Sequence, residues 1–424
     1  MDLIIEGRTF YKGKLQPVCI GIDEGKIVEI KKIMAGENRM DFKDRLILPG
    51  AIDVHVHLRD PGNTQKEDFG TGTLAAACGG VTTVFDMPNT NPPTVMAEDI
   101  VNKRENASSK AWVDFGLFAG VDARHDPTKM NAHAVGYKIF MGSSTGSLLV
   151  TKDADIAGAL AKISATGKVV SVHAEDDAYI VRAPEKELRD HNRNRPPYAE
   201  VSAITRLTRM NGSARINVCH VTSREAMAAF VGTGFTKEVT VHHMLFDDMM
   251  PLGGRGKVNP PLRTKDDRLA MLDAFSKGKF DMLASDHAPH GQDEKSGDFD
   301  AAPSGVPGVE TSVPIILAMV KRGQIPLEVL VSAACQRPAE IFGIPKGIIE
   351  VGRDADLMVI DPKKVTEIKS KNLHSKCGWT PYEGFEAIFP TAVFLRGMEL
   401  VENNSLVGER KGRDVVVAGS SGRS

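Results

Sequence analysis

Between residues 51 and 286 short runs of β-branched and other apolar residues alternate with longer, helix-compatible segments. The runs are 51–58 (AIDVHVHL), 81–87 (VTTVFDM), 111–118 (AWVDFGLF), 134–141 (AVGYKIFM), 167–174 (GKVVSVHA), 214–221 (ARINVCHV), 238–244 (EVTVHHM) and 279–286 (KFDMLASD). Each has the length and composition of a strand. Segments such as 67–78, 154–165 and 225–231 read as helices between them. Strand alternating with helix predicts βα units and a parallel sheet. Eight such units in a block of about 240 residues predict a (β/α)8 TIM-type barrel. The alternative is an open doubly wound sheet, and it is weakened because no G-x-G-x-x-G opens a helix after the first run.

The two ends carry a different pattern. Residues 1–50 read as short strands and turns, and the same style returns in GIIEVGRDADLMVID (347–361) and AVFLRGMELVENN (392–404). Each end is too small to bury much core alone. The expectation is therefore an α/β protein whose barrel spans 51–345, beside a small β-sandwich built from 1–50 and 346–424 together. Residues 419–424 are small and polar, and fraying is expected there.

Composition narrows the function classes. With 424 residues, 42% hydrophobic and 25% charged, the chain is an ordinary folded one. A net charge of -2 argues against a nucleic-acid partner. No run approaches the ~18 apolar residues that a membrane span needs. Five cysteines, none at C-x-x-C spacing, and an acidic start (MDLIIE) predict free thiols and a cytoplasmic location.

Candidate chemistry sits at the ends of the strand-like runs. Side chains at i and i+2 of a strand point the same way, so His55 and His57 project together and could form half of a zinc site. Alone, an H-x-H pair is weak evidence and fits a core pair equally well. His173 (SVHAED), His220 (NVCHVTS) and Asp286 (LASDHAPH) also fall at strand ends, where a barrel builds its active site. The recurrence at four strands favours a metal centre over isolated polar caps. Lys138 (VGYKIFMG) is an unusual neighbour for cations. As a neutral amine it could take up carbon dioxide and become an anion able to bridge two metals, although composition alone favours a surface or snorkelling lysine. His242 and His243 are read as the end of the seventh strand, and His287 as pointing away from Asp286. With His125, His133, His191 and His374 they are assigned structural or surface roles. Asp176 is assigned a capping or supporting role.

The run His55-Val56-His57-Leu58-Arg59-Asp60-Pro61-Gly62 resembles the signature of dihydroorotases, in the cyclic amidohydrolase branch of the amidohydrolase superfamily. So do MPNTNP at 87–92, Lys138 in GYKIFMG, His173 in HAED, His220 in HVTS, Asn259 in NPPLR, SDHAPH at 285–290, SGVPG at 304–308 and GRDADLMVID at 352–361. The resemblance covers nearly the whole chain. It implies one zinc held by His55, His57, carboxylated Lys138 and Asp286, and a second held by Lys138, His173 and His220. Arg59, Asn89 and His290 would hold a substrate carboxylate, while Asn259, Pro307 and Gly308 would line the ring. The implied reaction is the reversible closure of N-carbamoyl-L-aspartate to dihydroorotate, in pyrimidine biosynthesis. Asp286 would take a proton from metal-activated water and pass it to the leaving ring nitrogen. The partner is a small-molecule substrate; a homodimer or higher homo-oligomer stays open. Allantoinase, hydantoinase and dihydropyrimidinase share the metal set but need no cation for a carboxylate, so Arg59 with Asn89 favours dihydroorotase. Filled ligand positions argue against an inactive, partner-binding scaffold, and Lys138 argues against a mononuclear deaminase.

Overall fold

The computed structural model describes residues 1–11, 14–144 and 146–416. The expected fraying at 419–424 lies outside them. Four strands open the chain: β1 Leu3–Tyr11, β2 Lys14–Asp23, β3 Lys26–Lys31 and β4 Arg39–Pro49. Eight more follow: β5 Ala51–Val56, β6 Val81–Asp86, β7 Asp114–Gly120, β8 Gly136–Phe140, β9 Val169–His173, β10 Arg215–Val218, β11 Thr236–Thr240 and β12 Met282–Ala284. They form one parallel sheet in chain order, with helices between most neighbours. Parallel bridges from Val56 to His287 and from His287 to Val306 bring the first and last strands together, so the sheet is a nearly closed (β/α)8 barrel.

The C-terminal strands are β13 Leu357–Ile360, β14 Thr366–Glu367, β15 Glu386–Ala387, β16 Ala392–Leu395, β17 Met398–Glu402 and β18 Ser405–Leu406. Among the described residues, β14 and β15 pair only with each other. The others join the N-terminal strands in one continuous sheet, ordered β18-β17-β16-β13-β4-β1-β2-β3. The seam is the antiparallel pair β4–β13, where Leu48 meets Met358. Ile5, Ile20 and Ile47 from one end pack with Leu357, Val359 and Phe394 from the other. Neither end could bury that surface alone, so the two ends of the chain share one core.

Alternation within the barrel strands sets up the site. Val170 and Val172 face the helices, while Ser171 and His173 face the barrel axis. Register aligns Lys138 with Ser171 and Ser171 with Asn217. A polar layer therefore crosses the barrel below its C-terminal mouth. The seventh strand ends earlier than its apolar run suggests. β11 stops at Thr240, and Val241–Leu245 is a short helix. His242 and His243 thus lie on that helix, not on a strand. His243 bonds the Thr240 hydroxyl and the Pro260 carbonyl, contacts that stabilise the turn out of the strand. All five cysteines are free and buried. Among the described residues, no helix is long and apolar enough to cross a membrane.

Candidate active site

A cavity at the C-terminal mouth of the barrel is lined by His55, His57, Arg59, Asn89, Lys138, His173, His220, Asn259 and Asp286. Three of these side chains depart from backbones in the left-handed region: Arg59 (φ 61°), His220 (φ 35°) and Asp286 (φ 47°). Such conformations cost of order 1–3 kcal/mol each in non-glycine residues and are retained where surrounding structure holds them.

The imidazoles converge. Asp286 Oδ1 lies 3.3 Å from His55 Nε2 and 3.1 Å from His57 Nε2. His173 Nδ1 and His220 Nε2 face each other at 3.1 Å. Ligand atoms of His55, His57 and Asp286 all fall within 4.8 Å of one another, the spacing a single ion could bridge. Lys138 is fully buried between the two groups. Its ammonium donates to Cys219 Sγ at 3.0 Å, and no carboxylate lies within 4 Å of it among the described residues.

Three of the nitrogens turned away from the cavity have side-chain partners, while His220 Nδ1 is buried without one among the described residues. His55 Nδ1 meets Glu238 Oε2 at 3.0 Å, and Glu238 Oε1 accepts from Asn217 Nδ2. His173 Nε2 meets Glu175 Oε2 at 2.8 Å, and Arg195 pairs with the same carboxylate. His57 Nδ1 donates to Asn89 Oδ1 at 2.7 Å. Carboxylate partners of this kind fix tautomer and ring orientation and raise ligand basicity. Burial holds His57 down to about 3 and, with the neighbouring His173, keeps His220 well below the usual imidazole range. Burial opposes ionisation of Asp286, yet His55, His57 and His220 outweigh it and hold the carboxyl well below its ordinary value. His57, His173 and His220 are thus neutral beside an ionised carboxylate, whereas at His55 burial and Lys138 are outweighed by Asp286 and Glu238, which draw the ring up to about 10, so a metal binding there would displace a proton.

The opposite wall is cationic. Arg59 Nε donates to the Pro289 carbonyl at 3.2 Å, and its Nη2 lies 3.1 Å from His290 Nε2. Lys66 Nζ lies 3.2 Å from His290 Nδ1. Burial first, then the charges of Arg59, Lys66 and Lys295, push His290 down to about 2, so it is neutral among cations. Asp60 does not pair with Arg59; it is taken up by Asn106 and Lys110.

Most of the expected site residues meet here, with exceptions. His290 stands behind Arg59 rather than in the lining. Pro307 and Gly308 are displaced from the cavity. The His287–Val306 bridge carries the chain outward, and the Gly308 N–H donates to His287 Nδ1. Ala288, Ser304 and Gly305 supply the wall in their place. Asp176 caps a 3-10 turn through Ala178 N and pairs with Arg206. Glu175, Cys219 and Glu238 are site residues that strand-end patterning alone does not single out. Acids at inward positions of barrel strands or directly after a ligand (His173-Ala174-Glu175) are the available signal. His191 is buried, with Nε2 2.9 Å from Asn259 Oδ1 and Nδ1 2.9 Å from Glu185.

Residues 46–398 match the amidohydrolase family. The chain belongs to that family. Amidohydrolases generally bind metal, and the His55–His57–Asp286 cluster is a candidate for that role. The chain is 39% identical over 416 residues to a dihydroorotase of Thermoplasma acidophilum, covering 97% of each chain. It is 38% identical over 442 residues to a dihydroorotase of Methanosarcina mazei, covering 97% of this chain and 96% of the other. Among solved structures it superposes on an L-hydantoinase (dihydropyrimidinase) from Arthrobacter aurescens with TM-score 0.92 and 27% identity, covering 98% and 99% of the two chains. Both sets of amidohydrolase relatives act on cyclic amides by name, and the choice between them falls to the cationic wall.

Proposed function

We propose that this amidohydrolase is a dihydroorotase, catalysing the reversible, zinc-dependent cyclisation of N-carbamoyl-L-aspartate to (S)-dihydroorotate plus water, a step toward UMP. The observation that carries the reading is Arg59 beside neutral His290, opening onto the same cavity as Asp286 and the converging imidazoles. A guanidinium can grip a carboxylate with two parallel hydrogen bonds, and a hydantoin or dihydrouracil ring offers no carboxylate to grip. Full-length relatives that carry the dihydroorotase name support the same choice.

The donor set fits two zinc ions. His55, His57 and Asp286 would hold one, His173 and His220 the other, with Lys138 between them. As an ammonium the buried Lys138 has no carboxylate within 4 Å among the described residues, whereas the carboxylated lysine would be an anion whose charge two zinc ions could balance. Bound there, zinc would supply Lewis acidity, bringing the pKa of water to ~7 and polarising the ring amide carbonyl. Asp286 takes the proton from the attacking water. As the ring C–N bond breaks, Asp286 delivers that proton to the leaving nitrogen. Arg59 and Asn89 orient the ring through its carboxylate, His290 supports the Arg59 guanidinium from behind, and Asn259 closes the side held by His191.

The test is purified protein assayed side by side with dihydroorotate, allantoin, hydantoin and dihydrouracil, with metal analysis of the same sample. Turnover of dihydroorotate with about two zinc per chain is expected; preference for a neutral ring would overturn the reading. Because the open form carries two carboxylates and the ring one, closure consumes a proton. The equilibrium should shift toward the ring in acid and toward the open form in alkali.

A further inference from the structure

We propose that one face of the helix Ala97–Lys110 holds Arg59 in its working conformation, with Lys103 and Lys110 as positioning residues; the inference rests on Arg59 gripping the substrate. Arg59 sits in the left-handed region, which a residue with a side chain keeps only when its flanks are held. On one flank, the Leu58 N–H donates to Asp86 Oδ1 at 2.7 Å. On the other, the Asp60 carboxylate accepts from Asn106 Nδ2 at 2.7 Å and Lys110 Nζ at 2.8 Å. Lys103 Nζ lies 2.5 Å from the second oxygen of Asp86 and donates to the Met87 carbonyl at 2.9 Å.

Lys103, Asn106 and Lys110 are three and four residues apart, so they share one helix face. That single face therefore compensates both acids that flank Arg59. Through Met87 it also anchors the loop that brings Asn89 to His57. The Lys103–Asp86 side chains are 1% and 0% exposed. A charge pair buried so completely adds little net stability over an apolar pair of the same volume, and its use here is to hold one geometry. Among the described residues no residue of the helix lines the cavity, so its influence on the reaction passes through Arg59 and Asn89.

A double-mutant cycle tests this: Lys103→Met, Arg59→Ala and the two combined, each assayed on dihydroorotate together with metal content and Tm. Lys103→Met is expected to lower kcat/KM about tenfold, mainly through KM, with wild-type metal per chain. In the Arg59→Ala background the same change should cost less than about threefold, because only the Asn89 loop is left to position. Lys103→Arg keeps the charge and should restore most of the loss. Should Lys103→Met fail to fold, Lys110→Ala carries the test, with an expected loss of about two- to threefold that also vanishes in Arg59→Ala. Equal losses in both backgrounds, or loss of metal in Lys103→Met, overturn the positioning role. Wild-type inactivity on dihydroorotate overturns the function itself, whereas additive losses in an active enzyme overturn only the role of the helix.

Discussion

The two walls of the cavity are built by different means. The metal-ligand wall stands on strands or the first residues beyond them, and its imidazoles are braced by buried acids, Glu238 from β11 and Glu175 just after β9. The carboxylate wall stands on loops. Arg59, Asn89, Asn259 and His290 are held by loop carbonyls and by His191, and the residues beside Arg59 by the barrel helix Ala97–Lys110. Strands crosslinked on both sides resist displacement, whereas loops can change without unfolding the barrel. On the proposed reading, the difference makes reactivity and substrate choice separable in this molecule. The first belongs to the layer where Lys138, Ser171 and Asn217 align, the second to the segments above it.

The sharpest way to break the comparison is at Lys138. Lys138→Ala should remove the bridge, most of the second zinc, and about a thousandfold or more of kcat. Lys138→Arg should fail as well, since a guanidinium stays charged and cannot be carboxylated. A small added carboxylate should partly restore Lys138→Ala. Elemental analysis with kinetics checks this, and two metals with normal rates in Lys138→Ala would remove the bridging role.

Arg59 tests the other wall. Arg59→Ala should keep both metals but lower kcat/KM for dihydroorotate by about 100-fold, roughly 2.7 kcal/mol. A neutral ring such as dihydrouracil should lose little more. Comparable losses on both substrates would show that the walls are not separable.

Glu238→Ala sharpens the comparison from the metal side. Without Glu238 the His55 ring loses its orienting partner, so zinc affinity should fall about 10- to 100-fold. KM at saturating zinc should stay near wild type. Metal titration against KM is the measurement, and a large rise in KM at full occupancy would contradict the division.

The smallest effect concerns acid stability on the loop side. Burial pushes the Glu185 carboxyl up, but His191 and Lys257 outweigh it and draw it from 4.5 down to about 2. A carboxyl lowered in the folded state contributes stability that is present above pH 4.5 and lost as pH falls toward 2. Glu185→Gln should therefore flatten that part of the acid unfolding curve and leave Tm near pH 7 lower. Chemical denaturation across pH 2–6 reads the difference; parallel curves would exclude the contribution.

Much of the metal wall was legible in the sequence, and little of what braces it was. His57, His173, His220 and Asp286 stand out because they fall at or beside the ends of strand-like runs, and His55 because it shares a strand face with His57, whereas Lys138 lies within its run and is marked only by the family resemblance. Glu238 begins such a run, and only the register across β11 brings its carboxylate to His55, 183 residues away in the chain. The apolar run at 238–244 predicts a strand through His242 and His243. The structure starts a helix at Val241, where the His243 ring can bond Thr240 and Pro260. Pro307 and Gly308 fall inside a recognisable loop, yet the His287–Val306 bridge turns them away from the cavity.

The sequence by itself determined the βα alternation, the pooling of both chain ends in a second core, and the set of ligand-type residues at strand ends. These follow from patterns two to four residues long and from the polarity of a parallel barrel, which are local properties of the chain. Only the tertiary structure decided which buried acid meets which imidazole, and which helix face compensates Asp60 and Asp86. It also decided which residues of the last loop reach the cavity. Those pairings join residues tens to hundreds of positions apart, and they are settled by how strands align and how the layers of the barrel pack, which no short window of sequence contains.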